Sequence, residues 1–132
     1  MADPKKLAQA LIPGPLDAKS LAEQKAIELY GANTQHNGPA DAYRHLVWSG
    51  MMANKYGDIP AQLGGWLHES RIPIIGSTFQ APAEKDMDTT NNEYGRAIGK
   101  DAKNLAEILQ RAKILVDKGV AKTLPNEQDS YY

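Results

Sequence analysis

The sequence predicts an all-α fold: a compact bundle of four to five helices with a polar His/Glu/Asp/Asn site between them. Three observations predict it. Apolar residues recur at helical spacing along most of the chain, proline and glycine punctuate the pattern at its ends, and only Ile72 to Ile75 carries a strand signal. The chain has 132 residues, 15 Lys and Arg against 16 Asp and Glu, and no cysteine. It therefore reads as one small domain without a disulfide framework. A net charge of −1 offers no field to attract polyphosphate, which argues against general nucleic-acid binding. No apolar run approaches the roughly 20 residues of a transmembrane helix, and the N-terminus lacks a secretory signal, so the chain is expected to be made as a soluble protein.

Residues 1–16 read as an N-terminal arm. A short helical stretch, Lys5 to Leu11, is stopped by Pro13-Gly14-Pro15. Residues 17–119 read as a single helical domain. Asp17 is the expected cap of a helix running to Tyr30, with Leu21, Ile27 and Tyr30 among its apolar residues and Gly31 as its stop. Gly38-Pro39 begins the next helix, because proline at the first helical position loses no useful hydrogen bond, and Gly57 ends it after Tyr56. A shorter helix is expected from Pro60 to Ser70, followed by a loop over 71–82 that can cover a site as a lid. Periodicity resumes near Glu84 and continues to Gly119, with Gly95 and Gly99 either bending the helix or admitting another backbone. Residues 120–132 are polar and aperiodic and read as a flexible C-terminal tail.

The chemistry-bearing residues cluster. His36, His45 and His68 fall in one central stretch, interleaved with Asp41, Arg44, Glu69, Asp86 and Asp88. Asp41 and His45, four apart on a helix, share a face, so the carboxylate can fix the imidazole tautomer, as a general base or a metal-ligating histidine requires. The same pair also reads as an ordinary surface contact. His68-Glu69 closes the Gly-rich segment Gly64-Gly65-Trp66-Leu67, where both side chains can reach one site only at the helix end. HExxH is absent, so a metal centre has to be assembled from several elements: a divalent ion such as zinc on His45, His68 and Asp88. In the third cluster Asp88, Asn92 and Arg96 share one helix face, while Met87, Asn91, Tyr94 and Ile98 share the next. An asparagine on an apolar stripe is costly unless satisfied, so Asn91 is expected to hydrogen-bond across the core.

Three blocks carry a resemblance: Asn37-Gly38-Pro39-Ala40-Asp41-Ala42-Tyr43-Arg44-His45 with Trp48, then His68-Glu69, then Met87-Asp88 with Asn91-Asn92 and Gly95-Arg96. Together they resemble a family of small bacterial and phage domains that often form the C-terminal module of Rhs-type polymorphic toxins, with the pattern NGPxDAxRHxxW, HE, MDxxNNxxGR. The resemblance implies a toxin-like or envelope-directed context and one shared site, with Asp41, Arg44, His45, His68, Glu69, Asp88, Asn91, Asn92 and Arg96 carried over individually. This chain is expected to depart from the toxins in being free-standing, with its own N-terminal helix and no long carrier. A second, shorter resemblance joins Glu69-Ser70 and Gly76-Ser77-Thr78-Phe79-Gln80 to lytic transglycosylases, in which the glutamate is the general acid.

The resulting expectation is a small hydrolase, toxin-like or phage-encoded, acting on peptidoglycan or phospholipid of the bacterial envelope. His45, oriented by Asp41, is its base or a ligand, Glu69 the acid/base, and Arg44 or Arg96 the stabiliser of developing negative charge. If a metal is bound, Glu69 activates its water. The expected chain is made in the bacterial cytoplasm and delivered to the envelope or packaged in a virion, with virion proteins or a cognate immunity protein as partners. The alternatives are a phage structural or ejected protein whose buried polar network specifies the fold without chemistry, and a glycosidase with Glu69 as acid.

Overall fold

A computed structural model of the chain describes residues 3–34, 36–57 and 82–124. The helix expected over 60–70, the Ile72–Ile75 strand signal, the lid, His68, Glu69 and the whole transglycosylase-like stretch lie outside the described residues. Among the described residues the fold is all-α, with five α-helices and no strand. They are α1 (Pro4–Leu11), α2 (Pro15–Tyr30), α3 (Pro39–Tyr56), α4 (Pro82–Asp101) and α5 (Leu105–Asp117), with a 3₁₀ turn at Ala32–Thr34. None of these helices is long and apolar enough to cross a membrane.

Helix α3 is the central element, and thirteen of its residues are buried. Pro39 starts it and Gly57, at φ 97°, ends it, as the sequence predicts. Helix α2 packs on one side of it through Ala18, Ala22 and Ala26, all about fully buried. This alanine stripe lets the two helices approach closely, and it displaces the expected apolar face: Ile27 is 38% exposed. The helix also begins earlier than Asp17. Gly14 is its N-cap and Pro15 its first residue, leaving Asp17 in the first turn, where its charge still complements the helix dipole.

On the other side α4 crosses α3 at Gly50, Gly95 and Gly99. A Cβ on Gly95 would sit 2.6 Å from the Leu46 carbonyl oxygen and 2.7 Å from the Ser49 Cβ. The two glycines of α4 therefore admit a backbone, and no bend is needed to explain them. The periodic pattern from Glu84 to Gly119 is two helices. Asn104 caps α5 by accepting from the Glu107 N–H at 2.9 Å, while the Glu107 carboxylate reaches back to the Lys103 N–H at 2.7 Å. Asn54 of α3 donates to the Gly99 and Ala102 carbonyls, each at 2.9 Å, satisfying the C-terminal end of α4.

Both flanks dock on this frame. In the arm, Ile12 is 1% exposed, and Gln9 donates to the Asn54 carbonyl at 2.8 Å. After Gly119 residues 120–124 are tied back to this frame at single points, with Val120, Lys122 and Thr123 exposed. Ala121 is buried, and the Leu124 N–H donates to the Asn37 carbonyl at 2.7 Å.

Candidate functional site

The site forms where the first half of α3 meets the middle of α4. Asp41 is the third residue of α3, and its Oδ2 accepts from the Asn37 N–H at 2.7 Å, just ahead of the helix. This reach-back satisfies an orphan amide and fixes the carboxylate. Asn37 takes a left-handed conformation, φ 66°, that asparagine tolerates better than most residues. The Asp41 Oδ1 faces inward and accepts from the Arg44 Nε at 2.8 Å.

His45 lies one turn further on and is 8% exposed. Its Nε2 stands 3.3 Å from Asp41 Oδ1 and 3.2 Å from Asp88 Oδ1, so carboxylates from two helices flank one ring nitrogen. The Nδ1 lies 3.2 Å from Asn92 Oδ1, which also accepts from the Ser49 hydroxyl at 2.8 Å. All three of these oxygens are acceptors, and a neutral imidazole carries only one N–H, so among the described residues the surroundings of the ring favour a cation there: a second proton, or a metal ion on Nε2.

The electrostatics agree with the geometry. Burial opposes the charged form of His45, but the hydrogen bond to Asp41 and the charges of Asp88 and Asp41 outweigh it, with Arg44 opposing, and its pKa is raised. Burial likewise pushes Asp41 up, but the hydrogen bond and charge of His45, the charge of Arg44 and the Asn37 amide bring it down to about 2. The ligand-type atoms of Asp41, His45 and Asp88 all lie within 4.8 Å of one another and can together hold a metal ion. Of the ligand set expected from the sequence, His45 and Asp88 lie in this group together with Asp41, and His68 lies outside the described residues.

Of the other expected residues, Asn92 joins the site directly and Arg44 stands beside Asp41. Arg96 is half-buried one turn beyond Asn92. Asn91 does what an apolar stripe demands of it, though its partner is main chain. It is 0% exposed, its Nδ2 donates to the Lys122 carbonyl at 2.7 Å and its Oδ1 accepts from the Lys122 N–H at 2.8 Å. Its side-chain hydrogen bonds go to residue 122 and pin the C-terminal segment. The site list from the sequence lacks Ser49, although its place four residues after His45 puts it on the same helix face. It also lacks Glu84, which accepts from the Asn37 Nδ2 at 3.2 Å and stands 3.3 Å from the His36 Nε2.

A pocket of about 170 Å³ opens beside His45 and Asn92, between α2 and α3. Its walls are mostly apolar, formed by Pro15, Leu16, Ala22 and Trp48, and the Trp48 Nε1 donates to the Pro15 carbonyl at 3.3 Å. Fold and site together define an all-α domain with a buried Asp–His–Asp centre next to an apolar pocket. The chain belongs to the family described as a domain of unknown function, DUF6973, which matches residues 8–124. No curated protein and no solved structure matches the chain.

Proposed function

We propose that the chain is a small hydrolase acting on a bacterial cell-envelope substrate, peptidoglycan or phospholipid, with a divalent metal ion such as zinc held by Asp41, His45 and Asp88. One observation carries the reading: the imidazole Nε2 and two carboxylate oxygens from different helices converge at 3.2 and 3.3 Å. Metal bonds of about 2.0–2.1 Å in a tetrahedron place neighbouring ligand atoms about 3.3 Å apart, which the two separations from Nε2 match, and all three ligand atoms lie within 4.8 Å of one another. Three protein ligands with a position left for water is the usual catalytic arrangement, and a bound ion makes hydroxide available near neutral pH.

The residues around the ligands have definite tasks. Asn92 holds the far ring nitrogen and so orients Nε2. The Asn37 amide and the Arg44 Nε hold the Asp41 carboxylate. Arg44 also lines the pocket and is placed to stabilise developing negative charge. Glu69 is the proposed acid/base, on the strength of the HE block. The envelope-directed context, and with it an immunity protein as partner, is proposed from the likeness of the three blocks to Rhs-type toxin modules.

The test is titration of zinc, manganese, magnesium and calcium into chelator-stripped protein, together with dye release from labelled sacculi and fatty-acid release from phospholipid vesicles. The expected result is one metal per chain, lost in His45→Ala and Asp88→Asn, and release abolished by chelator and by Glu69→Gln. A second reading has its own support, because the His45–Asn92–Ser49 contacts tie α3 to α4. In that reading the network is structural, in a phage structural or ejected protein. Absence of both metal binding and release by folded wild type, with loss of thermal stability in His45→Asn, would establish it in place of the hydrolase.

A further inference from the structure

Asp41 turns one oxygen to the His45 ring, and whatever fixes that oxygen sets the geometry of the centre. Its Oδ1 stands 3.3 Å from the His45 Nε2 and accepts from the Arg44 Nε at 2.8 Å, while its Oδ2 accepts from the Asn37 N–H at 2.7 Å. The two holders differ in kind. The Arg44 side chain is 33% exposed and ends a flexible stem, whereas Asn37 is 5% exposed and donates from its main chain. The aim of the carboxylate therefore depends on how firmly Asn37 is held.

Asn37 is held from three elements. Its N–H meets Asp41 of α3, its Nδ2 donates to the Glu84 Oε1 in the first turn of α4 at 3.2 Å, and its carbonyl accepts from the Leu124 N–H at 2.7 Å. Its φ of 66° is left-handed, a conformation that glycine and asparagine take most readily. The next residue closes the turn tightly, since a Cβ on Gly38 would lie 2.9 Å from both the Cβ and the carbonyl oxygen of Thr34. Backbone conformation alone would be met by glycine at position 37. The asparagine side chain adds a tie to α4, the helix that brings Asp88 to the same ring nitrogen.

We propose that Asn37 is a positioning residue for the Asp41 ligand, tied to α4 by Glu84 and to the main chain of Leu124, so that the C-terminal segment 120–124 forms part of the centre. This rests on the metal reading of the site and specifies what holds its geometry. Glu84 and Asp88 are four apart on α4 and share a face, so the Asn37–Glu84 bond sets the spacing of the two carboxylate ligands about the His45 Nε2. Asn37 takes no part in bond making; it keeps Oδ1 aimed at the place of the ion. Groups that orient a ligand in this way contribute about 10–100-fold to metal affinity.

The experiment titrates zinc chloride into full-length, chelator-stripped variants, and follows the His45 ring resonances and the Tm of each in the metal-free state. Glu84→Ala and Glu84→Gln remove the same charge, but only glutamine keeps an acceptor for the Asn37 Nδ2. Zinc affinity should fall about 10–100-fold in Glu84→Ala and stay within about threefold of wild type in Glu84→Gln. Asn37→Gly, which keeps the left-handed turn and loses the tie, should match Glu84→Ala. Asn37→Asp combined with Glu84→Gln reverses donor and acceptor at unchanged total charge and should restore zinc binding. Leu124→Pro, which removes the N–H, should weaken zinc binding, and Leu124→Ala, which keeps it, should not. The ring resonances should move in the weakened variants and hold their wild-type values in the others.

A merely structural turn would lower the Tm of Glu84→Ala and Asn37→Gly while the folded protein keeps wild-type zinc affinity and ring resonances, and that result would overturn the proposal. Equal losses in Glu84→Ala and Glu84→Gln would overturn it as well, because charge alone would then account for them. The metal reading fails separately. If wild type takes up no zinc, yet the ring resonances move in Glu84→Ala and not in Glu84→Gln, the ion falls and Asn37 remains the positioning residue of a metal-free Asp–His–Asp centre. If zinc binds equally to wild type and every variant, the metal stands and the positioning role falls. With neither zinc uptake nor movement of the ring, both fall.

Discussion

Replacing Gly95 with alanine tests how the site is held. In a helix the change alone favours folding by up to about 1 kcal/mol. Here the new Cβ would meet the Leu46 carbonyl oxygen at 2.6 Å and the Ser49 Cβ at 2.7 Å, where carbon atoms normally rest about 3.5 Å or more apart. Relief requires α3 and α4 to part locally by roughly 0.8 Å, beside the Ser49–Asn92 and His45–Asn92 contacts. Those contacts, at 2.8 and 3.2 Å, would stretch past hydrogen-bonding range. Overpacking costs about 1–3 kcal/mol and each lost hydrogen bond about 1 kcal/mol, which outweighs the helix-propensity gain. A net loss of about 2–4 kcal/mol lowers the Tm of a domain this size by roughly 7–14 °C. Differential scanning calorimetry reads the shift, and the His45 ring resonances read the displaced contact. A Tm equal to or above wild type would refute the close-approach argument, because propensity would then be the only effect at work.

Asn91→Leu should cost about 1–3 kcal/mol, since it strands the Lys122 N–H and carbonyl. Hydrogen exchange should show amides 120–124 losing protection while those of α3 keep theirs. Asn104→Ala should lower stability by about 1 kcal/mol through loss of the α5 cap, measured by urea denaturation with an unchanged m-value. Tyr30 gives an alkaline signature. Burial, the hydrogen bond to Asp117 at 2.8 Å and the Asp117 charge raise its pKa in the folded state. Its contribution is complete below the ordinary tyrosine value of about 10 and is lost as pH climbs toward the folded value. Urea midpoints should fall between pH 9 and 11 less steeply in Tyr30→Phe than in wild type, and parallel slopes would contradict this assignment.

The parts of the molecule legible in the sequence are those written in local physics. Pro39 and Gly57 mark α3 because proline and glycine restrict or free the backbone wherever they occur, and Asp41 and His45 share a face because the helical period places them there. Asn91 announces a polar partner because a buried amide cannot go unsatisfied. Other features depend on which surfaces meet. The alanine stripe of α2 is weakly hydrophobic, and its value appears only where it lets α2 press against α3. Residues 120–124 look like a tail because their anchoring runs through main-chain atoms that every residue possesses, held by Asn91 and Asn37.

The site shows the same division. Sequence alone determined an all-α chain whose helices carry Asp41, Arg44 and His45 on one segment and Asp88, Asn91 and Asn92 on another. Only the tertiary structure decided that Asp88 and Asn92 approach opposite nitrogens of the same imidazole, and that the apolar pocket opens beside them. The physical reason is that helix periodicity fixes neighbours within a turn or two. The pairing of His45 with groups more than forty residues away rests on how closely Gly50, Gly95 and Gly99 let α3 and α4 approach.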